Sequence, residues 1–411
     1  MQKLKDIIKC RTEREWNKAQ DEIDVQVVVP VTKTVIDYEH SLYRKIDELK
    51  PVYRLRGVKQ VGIADTCCDS ALASGNRYYH SLVFATVADY FAQTKGFDRN
   101  LAVFTAMLHD AGSYVLSDSV QCGLNVDEVD KLEQVLNKHP EVEKLMDKHS
   151  VNRNDVIDAV IGRRKDPLGQ LINSTNALDA DRVTYTNSDA SNLGVLPKTW
   201  LGPYIVNPFD DATIDNGRLV FTRIDDVAQI LEARGQMFEK YYRSSEIMAK
   251  ESFIAKVARQ LIDRGIIKEE SLLEMEDKEF RDIVCKHGGE IGRSIFQFGR
   301  FETHGMVTAS EEDVSNFIGQ LTKRPFGVKK LKNVNPAIET LVMVDDEIQP
   351  YKIWEPFHAN WLKERLSVWG YTAVYGYERD RELHEATRKA QERFGKPKEP
   401  IPLKFAFVEK G

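Results

Sequence analysis

The chain has 411 residues, 42% of them hydrophobic and 30% charged, with a net charge of −6. That length corresponds to roughly two or three domains of 100–200 residues, or one large domain with elaborations, and the balance excludes a wholly disordered chain. The acidic balance argues against a nucleic-acid or membrane-surface role carried by bulk positive charge, and no apolar run approaches the ~18 residues that span a bilayer.

The first 40 residues read as a separate charged segment: 1–16 lacks an apolar signal core, and the apolar run at 25–31 is interrupted by Gln26 and Pro30. Residues 43–64 mix charged and apolar positions. The first clear amphipathic helix is 77–91, where His80, Val83, Phe84, Val87 and Phe91 recur at helical spacing. A second helix at 101–110 stops at Gly112. Residues 127–148 are helical with an interruption at Pro140, and 155–163 and 168–189 are further helices. Residues 192–215, rich in Gly, Pro, Asn and Asp, read as an irregular excursion. An Asp-Asn-Gly turn introduces a short strand at 217–222. Residues 225–262 read as one long helix. From about Pro325 the pattern is mixed, with strands expected at 340–344, 371–377 and 403–408 and a charged helix at 378–394. The fold class is mainly α, with a helical core over 41–268 and a smaller C-terminal α+β lobe over 269–411. Cys10, Cys67, Cys68, Cys122 and Cys285 form no framework spacing, so a reducing cytoplasm and no structural disulfide are expected.

Taken singly, the ligand-type residues are ordinary. His80 fits a core histidine on an apolar helix face, His109-Asp110 a helix end, and Asp181 a solvated face. Together, two imidazoles and two carboxylates from three helices form a mixed N/O set suited to iron, manganese, zinc, magnesium or cobalt and not to a thiolate site. The order His…His-Asp…Asp is the signature of the HD hydrolases.

The resemblance is closer than that superfamily. The segment at 53–62 (YRLRGVKQVG), Arg77-Tyr78-Tyr79-His80-Ser81-Leu82, Ala106-Met107-Leu108-His109-Asp110-Ala111-Gly112, and Asp179-Ala180-Asp181-Arg182-Val183-Thr184-Tyr185 to Asp189 resemble four ordered blocks of the dNTP triphosphohydrolases. That family includes the SAM-and-HD-domain enzyme and the bacterial dGTPase-like proteins. The likeness runs from about residue 40 to 265. It implies an HD-domain helical core and hydrolysis of a deoxynucleoside triphosphate to deoxynucleoside and triphosphate. It assigns the metal to His80, His109, Asp110 and Asp181. It places Gln60 on the sugar 3′-hydroxyl and Val61 beside the sugar, with Arg77 and Arg182 on phosphate and Tyr185 and Asp189 along sugar and triphosphate. Arg234 and, eight residues later, Tyr242 match a phosphate-binding Arg and a nucleotide-side Tyr; a surface Arg and a core aromatic are the alternative. The resemblance also implies a homo-oligomer and an allosteric nucleotide.

The family's phosphate-contacting histidines after His-Asp are replaced here by Ser113 and Asp118. Asp118, with its pKa raised by burial, is the first expectation for the proton donor, beside Asp110 in the catalytic set; His139, swinging in from a loop, is the second. Two other readings stay open: an HD phosphatase or phosphodiesterase on another nucleotide, and a regulatory nucleotide-binding protein with little or no turnover. Lys323, Arg324, Lys329, Lys330 and Lys332 form a local basic cluster. It reads as a solvated loop, or as a phosphate contact to an allosteric nucleotide or single-stranded nucleic acid; the net charge disfavours nucleic acid. Trp354, Phe357, Trp361 and Trp369 are expected in core or interface.

Overall fold

The structure is a computed structural model that describes residues 8–10, 26–29, 34–37, 41–66, 75–124, 128–192, 208–209, 211–296, 300–331, 334–366 and 371–397. The architecture is mainly α, with three small sheets among the described residues. Among the described residues no helix is long and apolar enough to cross a membrane.

The centre is an antiparallel helix pair, Arg77–Lys95 and Arg99–Leu108. Each begins on a side-chain cap, Asn76 accepting from Tyr79 N and Asp98 accepting from Leu101 N. Gly96, at φ 77°, closes the first helix in the left-handed conformation that favours glycine. Both helices are buried over most of their length, so their apolar positions fix the rotation of each about its axis. That rotation carries His80 and His109 to one place. The Ala180–Asn192 helix packs beside the first of them and brings Asp181 in its first turn.

The stretch expected as one helix over 225–262 is two. Ile224–Met237 runs into a π-helical turn at Phe238–Tyr242, and Ser244 caps a new helix, Ser245–Asp263. The Ser244-Ser245-Glu246 run is the sequence signal for that restart. Likewise 168–189 divides into Pro167–Ile172 and the Asp181 helix.

The turn at Asn216 and Gly217, with φ 48° and 73°, joins Thr213–Asp215 to Arg218–Phe221 as the Asp-Asn-Gly signal implies. Arg218–Phe221 also pairs in parallel with Leu341–Val344, which pairs with Glu347–Pro350. This four-stranded sheet therefore crosses the 268/269 boundary read from the sequence. A second sheet has Thr372–Tyr377 between Phe301–Val307 and Gly327–Lys330, all antiparallel. It leans on the Ser245–Asp263 helix, where the Phe253 and Phe301 rings stand 5.0 Å apart. One apolar core accordingly runs from Leu42 to Tyr375, with a small satellite core around Val314, Ile318 and Leu383.

Several elements had no expectation. In the N-terminal segment, Thr34–Asp37 pairs with Ile8–Cys10 and with Gln26–Val29. Helices Asp277–His287, Gly289–Phe296 and Glu311–Leu321 lie in the C-terminal region. The strand expected at 403–408, Trp369 and Lys332 lie outside the described residues, as does most of the excursion at 192–215.

Candidate metal centre and its cavity

His109 Nδ1 lies 2.7 Å from the Ala106 carbonyl. A carbonyl only accepts, so Nδ1 carries the proton and Nε2 presents a lone pair. Nε2 stands 3.2 Å from His80 Nε2, 3.3 Å from Asp110 Oδ2 and 3.7 Å from Asp181 Oδ1. His80 Nε2 and Asp181 Oδ1 are 2.8 Å apart. Ligand atoms roughly 2.0–2.2 Å from one ion stand about 3.0–3.6 Å from each other, the spacing His109 Nε2 shows to His80 Nε2 and to Asp110 Oδ2. Asp110 divides its two oxygens. Oδ1 accepts from Arg77 Nη1 and, at 3.2 Å, from Ser113 Oγ, whereas buried Oδ2 has no hydrogen-bond donor. An orphaned carboxylate oxygen facing two imidazoles is the donor a divalent cation satisfies. His80, His109 and Asp110 thus form a group that could hold a metal, with Asp181 on its edge.

The charges support the same reading. Burial opposes ionisation of Asp181, but its hydrogen bond to His80 and the neighbouring imidazoles hold the carboxyl well below its ordinary range. Asp110 is lowered against burial by Arg77. Burial pushes the His80 ring down, and the Asp181 hydrogen bond and charge lift it above its usual value. Two carboxylates, Asp110 buried and Asp181 partly open to the cavity, thus favour the ionised form that a cation needs.

The cluster opens on a cavity of about 820 Å³ lined by Gln60, Val61, Arg77, Asp118, Arg182, Tyr185, Asp189 and Tyr242, among others. Gln60 Oε1 is buried there with no hydrogen-bond partner among the described residues. Arg77 is gripped on the metal side: Nη1 on Asp110, Nε on Ser117 Oγ at 2.9 Å, Nη2 3.7 Å from Asp118. It is more immediately the holder of Asp110 than a free phosphate cation. Arg182 Nη1 binds Asp179 and the Ser174 and Ala177 carbonyls, which fixes the guanidinium at the cavity edge. Tyr242 Oη donates to Asp189 Oδ2 at 2.6 Å, a reach set by the π-helical turn, a distortion common at functional sites. Arg234 does not line the cavity. It lies behind Tyr185, donating Nη1 to the phenol oxygen and Nη2 to the Asn335 carbonyl at 3.3 Å. The next arginine along the chain, Arg243, does line the cavity, and burial lowers its pKa to about 10.

Two expectations for proton transfer meet different surroundings. Asp118 lines the cavity, but its side chain is 71% exposed, so the burial that its role requires is absent. His139 precedes the Pro140–Lys148 helix, 3.0 Å from Glu141, and is not among the cavity-lining residues. The segment between the metal pair and Asp118 is instead built around Leu116 and Ser117, both left-handed at φ 53° and 51°. Non-glycine residues hold that conformation only when the surroundings impose it. Here buried Asp277 accepts from Leu116 N at 2.7 Å and Lys59 N at 2.8 Å, while Ser117 Oγ donates to the Lys59 carbonyl at 2.6 Å. Burial raises the Asp277 pKa to about 6, against those backbone donors and Arg54. Arg54 completes the strap, donating to the Ser113 carbonyl at 2.6 Å and the Met275 carbonyl at 3.0 Å. Neither Ser117 nor Asp277 carries a sequence signal of its own; Asp277 meets Leu116 and Lys59 from 161 and 218 residues away, while Arg54 lies in the 53–62 block without a stated role.

The basic cluster is not one patch. Arg324 faces Glu382 and Asp380, Lys330 is exposed, and Lys329 pairs with Glu251 in the cavity wall. Phe357 is exposed, whereas Trp354 and Trp361 pack partly against the core.

No family model matches the chain. It is 26% identical over 241 residues to an uncharacterized protein of Methanocaldococcus jannaschii, covering 56% of this chain and 48% of that protein. The chain thus spans about half the length of the curated relative it matches. A hypothetical protein from Aquifex aeolicus shares the fold at TM-score 0.69 and 17% identity, over 89% of this chain and 99% of that one. A phosphohydrolase from Bacteroides thetaiotaomicron does so at TM-score 0.66 and 15% identity, over 87% and 100%. The fold is that of these proteins across nearly their whole lengths.

Proposed function

We propose that the chain is a metal-dependent phosphohydrolase acting on deoxynucleoside triphosphates and releasing deoxynucleoside and tripolyphosphate. The observation that carries this reading is the grouping of His80, His109 and Asp110, with Asp181 hydrogen-bonded to His80 at its edge, beside a cavity that also presents arginine side chains. The fold neighbour described as a phosphohydrolase agrees with the reaction class. The resemblance of the four sequence blocks supplies the substrate.

When bound, the metal polarises phosphoryl oxygen and lowers the pKa of a water. The protein's own groups do the remaining work. Arg77 holds Asp110 with Oδ2 toward the imidazoles. The edge of Arg182 and, behind Tyr185, the charge of Arg234 set a positive field over the phosphates. The unpaired Gln60 carbonyl oxygen accepts from a sugar hydroxyl, and Val61 closes the space beside it. Water oxygen bonds to the α-phosphorus, the bond to the 5′-oxygen breaks, and that oxygen takes a proton to leave as deoxynucleoside. With Asp118 exposed, solvent in the cavity delivers this proton and Asp118 serves as a partner of Arg77.

The test is product analysis with each dNTP and with ATP, in Mn²⁺, Fe²⁺, Mg²⁺ or Co²⁺. Intact tripolyphosphate with preference for the deoxy sugar supports the reading. Stepwise orthophosphate indicates a phosphatase. The replacement of the family histidines by Ser113 and Asp118 favours one second reading, a nucleotide-binding protein with slow turnover; binding without products supports it.

A further inference from the structure

The cavity has a wall that the proposed reaction does not yet use. It comes from the C-terminal lobe, through the strand Gly327–Lys330. Lys329 Nζ lies 2.5 Å from Glu251 Oε2, and Glu251 Oε1 lies 3.4 Å from Ser119 Oγ. The pair is largely removed from water, at 21% and 16% side-chain exposure. The backbone builds this placement. Gly327 and Lys329 share a strand face, two residues apart. A Cβ at Gly327 would come within 2.2 Å of Ser252 Oγ, so glycine alone lets the strand lie against the Ser245–Asp263 helix. Ser252 Oγ donates to the Val328 carbonyl at 3.2 Å and seals that contact. Lys329 therefore meets Glu251, the neighbour of Ser252, in fixed register.

The pair is also continuous with the metal cluster. Arg77, on Asp110, reaches Ser117 and Asp118, and the next residue, Ser119, reaches Glu251. A polar wall thus runs from the metal donors to Lys329. A buried ion pair is weak evidence for stability, since desolvation of both charges offsets their attraction. A lysine on an internal counterion in a cavity wall has another use: an entering anion can take over the ammonium.

We infer that Lys329 is the distal phosphate-binding residue of the cavity and that Glu251 is its resident counterion, so that the site selects a linear polyphosphate chain by length. The inference rests on the reading of the cavity as a nucleotide site and deepens it. The near cations take the phosphate at the metal, and Lys329 takes the far end of the chain. A monophosphate does not reach it. The ligand chemistry is shared by a nucleoside triphosphate and by free polyphosphate.

The two members of the pair then have opposite effects, which a structural strap would not give. Binding of inorganic tripolyphosphate and of orthophosphate to the full chain is measured by calorimetry. Lys329→Met removes the cation and leaves Glu251 facing the chain, so tripolyphosphate binding weakens about tenfold or more while orthophosphate binding changes little. Glu251→Gln releases the cation and tightens tripolyphosphate binding several-fold. Lys329→Arg restores most of the wild-type ratio. Loss of thermal stability in both variants, with an unchanged ratio of the two affinities, would overturn the inference and show a strap only. Because the readout is binding of the inorganic chain, it separates from the proposed reaction. Wild type that releases tripolyphosphate from dNTP while Lys329→Met keeps full chain-length selectivity refutes this inference alone. Wild type that selects tripolyphosphate through Lys329 but forms no nucleoside refutes the reaction alone.

Discussion

The two ends of the cavity are built in different ways. At the metal end, His80, His109 and Asp181 ride on three packed helices, and each side chain's direction follows from the apolar face of its own helix. Along the rest of the wall, from the Leu116–Ser117 turn beside Arg77 to Lys329, the residues are held by partners on other segments: Asp277, Lys59 and Glu251. The candidate metal donors, which would have to agree to within a few tenths of an ångström, sit on rigid helices, whereas the rest of the wall is held by a strap and a strand. The first arrangement is local and the second is tertiary.

The comparison can be broken most severely at the metal end. His109→Ala removes a donor whose tautomer is fixed by Ala106, and should lower activity by about 10³-fold or more together with metal content. Unchanged metal occupancy would place the ion elsewhere. Arg77→Ala frees Asp110 to rotate and should weaken metal affinity by about 10–100-fold, read by titration with Mn²⁺.

The strap gives a pH signature instead. The Asp277 carboxyl titrates near 6 in the folded chain, above the usual aspartate value in the unfolded one. Its contribution to stability is full below the unfolded pKa and falls as pH rises from about 4 through about 6. The stability of wild type minus that of Asp277→Asn, from thermal melts across this window, should decline by on the order of 1–3 kcal/mol. A difference that is flat with pH would show that Asp277 is not held in a dry strap.

How much of this was legible in the sequence follows the same division. Helical spacing around His80 and the His-Asp and Asp-x-Asp blocks contain the metal end, because each block lies within a turn or two of its own helix. The break at Phe238–Tyr242 was hidden because its residues continue a helical pattern and only Ser244 marks the restart. The resemblance matched Arg234 to a phosphate-binding Arg, with a surface Arg as the alternative; the fold buries it behind Tyr185, a position its spacing from Tyr242 does not reveal. Asp277 itself had no signal: Arg54 and Lys59 lie in the 53–62 block, but only the fold brings an aspartate from more than 200 residues away to them. The same holds for the sheet that joins 218–221 to 341–344.

The smallest effects are expected where sequence position suggested a proton donor and the fold supplies no burial. Asp118→Asn should change turnover by less than about tenfold, below the usual general-acid range. His139→Ala, outside the cavity lining, should leave turnover within about twofold. A loss of 10²-fold in either would return the acid role to that residue.

The central claim is that four side chains from three helices hold one ion. Metal content of the purified full chain, measured for wild type and Asp181→Ala after loading with Mn²⁺ and removal of excess, tests it most directly. Wild type should hold one ion per chain and the variant none, with the fold retained by circular dichroism. An ion held equally by the folded variant, or none held by wild type, would contradict it.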